Sequence, residues 1–195
     1  DAVEPPIPFS LGVRVKNSGQ GAAKELKIES AQPVITENEQ GLLIGFAIEG
    51  SQVNGEETTP SLLADFGDIS PGTAGMARWT MTCTLSGQFV EFDAVFSHSD
   101  ELGGELTSLI DSVETHFLVQ DVWVDVVGRD RILDFLAKDG DIYRVYESDS
   151  ADTQVADQSA ASALTYVGTQ GGEPSYTLTT TVNDSFVYVQ LSDPY

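Results

Sequence analysis

Phe9-Ser-Leu-Gly-Val-Arg-Val-Lys-Asn17-Ser-Gly-Gln-Gly21 decides the reading of this chain, and Ile69-Ser-Pro-Gly-Thr-Ala-Gly-Met-Ala-Arg-Trp79-Thr-Met-Thr-Cys-Thr-Leu85 answers it further along. In the first stretch Phe9, Leu11, Val13 and Val15 alternate with Ser10, Gly12, Arg14 and Lys16. A period of two sends one set to a core and the other to water, which predicts a half-buried strand. Asn17 to Gly21 then supplies residues that tolerate positive φ, and Ser70-Pro-Gly72 supplies a second turn with φ preset by proline. Ala77, Trp79, Met81, Cys83 and Leu85 alternate with Arg78, Thr80, Thr82 and Thr84, so a second half-buried strand comes after the proline turn.

Working outward, strand signals recur at short intervals between polar turns: 10–16, 25–29, 42–49, 61–66, 74–85, 88–98 and 112–119. Seven short strands in this span predict an immunoglobulin-like β-sandwich, two sheets meeting over one core. The pattern restarts after Leu118 with 121–127, 142–146, 163–167, 175–182 and 186–191, and Gly171-Gly172 sits where a hairpin turn is needed. The expected organisation is all-β: a sandwich over residues 1–118, then a smaller sandwich-type unit over 119–195. Residues 147–162 show little periodicity and carry Glu147, Asp149, Asp152 and Asp157, which predicts a long exposed loop.

Acidic residues number 31 against 9 basic ones, a net charge of -22, and the excess falls on both sides of Leu118. Phosphate recognition needs clustered Lys and Arg, so nucleic acid and anionic membrane surfaces are poor partners. A repelling, solvated surface suits a secreted or salt-tolerant protein. No apolar run is long enough for a membrane span, and the opening Asp1-Ala-Val-Glu-Pro-Pro lacks a signal-peptide core, as expected of a linker. The single cysteine, Cys83, rules out an internal disulfide and is expected to be buried as a small hydrophobe.

Few residues offer chemistry. His98 and His116 stand far apart without metal spacing, and His116 with Ser112 and Asp111 lacks a nucleophile elbow. The acids Asp139, Asp141, Asp149 and Asp152 are the candidate ligands for calcium, because Asp-Gly-Asp in a turn can aim two carboxylates at one ion; an Asp-Gly hairpin turn explains the same letters. Trp123, Tyr143 and Tyr146 are the candidate sugar-stacking residues, although Tyr143 and Tyr146, three apart, fall on opposite faces of one strand. Trp79 is expected in the core, and Thr177-Leu-Thr-Thr-Thr181 reads as ordinary exposed strand.

The stretches Val13 to Gly21 and Ile69 to Trp79 resemble the bacterial cell-adhesion-related domain called CARDB and its immunoglobulin-like relatives. There an alternating strand enters an Asn-x-Gly-x-Gly turn, and an Ile-x-Pro-Gly turn enters an aromatic-bearing strand. The resemblance covers residues 8–118; residues 119–195 are similar in style to fibronectin type III units, on Trp123 and on Tyr176 to Asp193. It implies a non-catalytic adhesion or structural spacer module of a larger secreted or cell-surface bacterial protein, with neighbouring domains as partners and no catalytic residues. The alternatives are a carbohydrate-binding module of a glycan-active protein and a calcium-dependent adhesin module.

Overall fold

The computed structural model describes residues 8–34, 45–84, 91–97, 110–123, 127–149, 151–181 and 187–189. Among them every regular element is a strand, apart from the 3-10 turn Ser159–Ala161, so the protein is all-β as the period-two pattern predicts. No helix of the described residues is long and apolar enough to cross a membrane.

The chain divides into two compact units, 1–153 and 154–195. The boundary expected at Leu118 therefore lies further on. Strand β8, Phe117–Val122, runs straight across the expected boundary and lies wholly in the first unit.

Seven strands of unit 1 form two facing sheets: β1 Phe9–Lys16, β2 Ala23–Val34, β3 Phe46–Val53, β4 Glu56–Thr58, β5 Ala64–Ile69, β6 Ala74–Cys83 and β7 Glu91–Ser97. One sheet has the order β1-β6-β3-β4 and the other β5-β2-β7, with every pairing antiparallel. The inner pairings β2–β5 and β3–β6 are those of strands B–E and C–F in an immunoglobulin sandwich. The first and last strands have exchanged sheets: β1 lies beside β6 and β7 beside β2, where the immunoglobulin order places strand seven and strand one. The core between the sheets is Leu26, Ile28, Ala64, Phe66 and Ile69 from one side and Val53, Ala77, Trp79 and Met81 from the other. Trp79 is 1% exposed and donates its indole N–H to the Ser61 carbonyl at 2.6 Å, so its one polar atom is satisfied inside the core. Cys83, at the end of β6, is only half-buried, short of the full burial expected for it.

Asn17 explains why the two opening stretches of sequence belong together. Its side-chain amide donates to the carbonyls of Gly21 and Ile69, both at 2.8 Å, while its Oδ1 accepts from Gly19 N–H. Its backbone bonds Thr73 and Gly72, so one residue fastens the first turn to the proline turn. In that second turn Thr73 N–H bonds the Ser70 carbonyl and Gly72 has φ +76°, which is a type II turn with Pro71 and Gly72 in the two positions that demand them.

A third sheet has the order β11-β10-β9-β8, from β9 Asp134–Asp139, β10 Ile142–Tyr146 and β11 Asp152–Val155. Strands β9 and β11 have no counterpart among the strands expected from sequence, and residues 147–162 are not one long loop. Glu147 and Ser148 are buried, and β11 comes after them. The third sheet covers the outer face of the β1-β6-β3-β4 sheet, the face expected in water. Phe135 sits so close over Gly12 that a Cβ there would lie 2.5 Å from the ring.

Unit 2 contains the hairpin β12 Ser162–Gln170 with β13 Glu173–Thr180, turned at Gly171-Gly172 with φ of +63° and +90° as a type I′ turn requires. Tyr166 faces Tyr176 across it, edge to face at 5.4 Å between centroids. Val187 to Val189 are not in a strand, and the rest of the expected strand 186–191 lies outside the described residues.

Candidate functional site

A dense polar arrangement lies between the outer face of the β1-β6-β3-β4 sheet and the third sheet. The alternation that points Phe9 to Val15 at the core points Ser10, Gly12, Arg14 and Lys16 the other way. Arg14 donates Nε to the Glu147 carbonyl at 2.9 Å, pairs with Asp152 at 2.8 Å and lies over the Tyr146 ring. Lys16 reaches the same Asp152 at 3.4 Å. Asp121 Oδ2 accepts from both Ser10 Oγ and Arg78 Nη1 at 2.7 Å, and Arg78 also bonds Gln52. Among the described residues the remaining buried Arg78 Nε and Asp121 Oδ1 meet no hydrogen-bond partner, so this ion pair is held at one carboxylate oxygen.

A second network closes the end of the third sheet. Arg129 pairs with Glu147 and Asp149. Asp134, 3% exposed, accepts from Ser148 N–H at 2.8 Å, and Ser148 Oγ lies within 3.1 Å of both Asp134 and Asp130. One hydroxyl proton cannot serve two carboxylates at once. Burial holds the Asp134 carboxyl above the usual carboxylate range, the charges of Asp130 and Asp149 push the same way, and the Ser148 bonds oppose the rise.

The four candidate calcium ligands are not brought together. Asp139 and Asp141 flank Gly140, φ +57°, in the two-residue turn from β9 to β10, the hairpin that also explains their sequence. Asp149 and Asp152 are engaged by Arg129 and by Arg14 with Lys16. Among the described residues no three His, Cys, Asp or Glu side chains converge on a metal position. His98 lies outside the described residues. His116 is engaged by Tyr146, OH to Nε2 at 2.9 Å, and by Glu114 at 3.5 Å, rather than by Ser112 and Asp111. Burial raises the Tyr146 hydroxyl above its ordinary pKa.

The sugar-stacking candidates also part company. Trp123 lies just past β8 and is 52% exposed. Tyr146 is taken up between Arg14 and His116 on the inward face of β10, whereas Tyr143 falls on the opposite face beside Lys138. Sequence reasoning missed the roles of Arg14, Arg78 and Asp121. The signal was present, since five of the chain's nine cations precede Leu118 and three of those five lie on β1 and β6. Which acids they meet depends on long-range packing that spacing does not encode. No family model matches this chain, nor does any curated protein or solved structure.

Proposed function

We propose that this chain is a non-catalytic adhesion or structural spacer module of a larger secreted or cell-surface bacterial protein. The observation that carries the reading is the stack of three sheets in unit 1, in which Arg14, Arg78, Asp121 and Asp152 are spent joining one layer to the next. A module that transmits load gains from such cross-links, because the third sheet can leave the sandwich only by breaking several charge-assisted bonds together. The excess of acids keeps copies apart in solution. The resemblance to CARDB supplies the bacterial surface setting, and a sandwich by itself would serve many other roles.

Two measurements test the proposal. Antibodies raised against the chain should label intact cells, with the signal lost on brief external protease treatment; retention inside the cell would sink the reading. In single-molecule stretching, unit 1 should unfold in one dominant cooperative event. Peeling of the third sheet at low force, before the sandwich opens, would remove the mechanical argument.

A further inference from the structure

The outer face of the third sheet carries a row of three side chains set side by side by strand register. Phe117 of β8 pairs with Lys138 of β9, and Lys138 pairs with Tyr143 of β10. All three fall on the face opposite Phe135, which packs over Gly12, so they point away from the sandwich. Two strand spacings separate Phe117 from Tyr143, about 10 Å. Phe117 is 57% exposed, and Lys138 Nζ stands 5.3 Å from the centre of the Tyr143 ring. Further along this face Val122, Asp134 and Val145 are buried, so the open part is confined to the Phe117 end.

Lys138 is one of three cations, with Arg131 and Arg144, that make no ion pair among the described residues. Six of the nine, Arg14, Lys16, Lys24, Lys27, Arg78 and Arg129, are paired with carboxylates. In a chain with 31 acids, Lys138 makes no ion pair among the described residues and is held by an aromatic ring instead. An ammonium over a ring keeps donors for a second partner.

We propose that this row binds an acidic sugar, one uronic acid residue of a glycan, with its C–H face on Phe117 or Tyr143 and its carboxylate on Lys138. An exposed Phe117 ring and a half-buried Tyr143 ring with one ammonium between them suit a ring-shaped ligand. A neutral sugar leaves the ammonium unused, and a cationic ligand is repelled by it. A nucleic acid needs several cations clustered along its backbone, and this row offers one. A single carboxylate at contact distance is attracted at short range, while charges beyond about 8 Å are screened at physiological salt. The proposal does not depend on the spacer reading, because a load-bearing module can lack this site and a glycan-binding one can bear no load.

The test is an amide-resolved NMR titration of the full chain with trigalacturonate at physiological salt, with the uncharged galactotriose as comparison. The expected result is saturable shifts at Phe117, Lys138 and Tyr143, with galactotriose binding about tenfold more weakly, as loss of a charge-assisted bond predicts. Lys138→Gln should lose the same factor, Lys138→Arg should keep binding, and Phe117→Ser should weaken both sugars, each variant retaining a native spectrum. No saturable shift with trigalacturonate overturns the proposal. So do shifts centred elsewhere, equal binding of galactotriose, or unchanged binding by Lys138→Gln.

Discussion

On the inner face of the β1-β6-β3-β4 sheet, Ala77, Trp79 and Met81 are at most 1% exposed and pack in one cluster with Ile28 and Phe66 of the opposite sheet. On its outer face the same two strands present Ser10, Arg14 and Arg78 to Asp121, Glu147 and Asp152. The inner face gains stability from apolar area removed from water, a term indifferent to small shifts of one layer over the other. The outer face gains little net energy per ion pair, because each charge must be desolvated, but its bonds are satisfied in a single register. One sheet thus draws its stability from one side and the placement of its neighbour from the other.

The largest effect expected from this contrast is on the inner side. Trp79→Ala should cost about 3–5 kcal/mol, since a fully buried indole leaves a cavity that the two sheets cannot collapse. Denaturant unfolding followed through the first unit checks it, and a loss below about 1 kcal/mol would mean that the sandwich core does not hold this unit together. The outer face predicts a different pattern. Arg78→Met should cost about 2–3 kcal/mol by leaving Asp121 with Ser10 alone, whereas Arg78→Met with Asp121→Leu should recover most of that loss, because the second change removes the stranded charge. A double variant as unstable as the single one would show that the pair itself, rather than the stranded acid, carries the energy. Next in size, Gly12→Ala pushes a methyl into the Phe135 ring at 2.5 Å and should cost about 1–2 kcal/mol. Combination with Phe135→Leu should be less costly than the sum of the two changes, a coupling that only direct packing of β1 against β9 produces.

How far the sequence reveals these faces depends on the same contrast. Period two is a local signal, so β1, β6 and β10 are legible to within two residues, and Trp79 is placed in the core by its neighbours alone. The residues pointing the other way read as solvent-facing because Ser, Gly, Arg and Lys suit water. Nothing local distinguishes a polar face that meets solvent from one that meets a second polar face. Gly12 is the one hint, a residue without a side chain in the middle of a strand, which marks close approach of something across it. Strand β9, Asp134-Phe-Leu-Ala-Lys-Asp, escapes a local reading because acids at both ends disguise a six-residue strand, and with it go Phe135 and the boundary of the unit. Of the candidate site residues, opposite faces for Tyr143 and Tyr146 are readable from their spacing. The capture of Asp149 and Asp152 by Arg129 and Arg14 is not, since Arg14 lies more than a hundred residues from Asp152.

The smallest effect sharpens the comparison at the edge of the outer layer. Asp134 is the acid there whose ionisation opposes folding, because its folded pKa lies above its unfolded value, chiefly through burial. A group raised in this way binds more protons folded than unfolded. Its contribution is therefore fully present below the unfolded pKa, near 3.9, and is lost as pH rises through the higher folded value. Asp65 and Asp68, held below the usual range by hydrogen bonds from Lys27 and Lys24, have the opposite sign: their contribution is present above the unfolded value and lost as pH falls through the folded one. Asp134→Asn keeps an acceptor for Ser148 and removes the charge, so it should raise the melting temperature at pH 7 and leave it unchanged at pH 3. A variant less stable than the parent at pH 7 would mean that the ionised Asp134 is needed by the Ser148 network. The outer layer would then be held by its charges at this end as it is at Arg14 and Arg78.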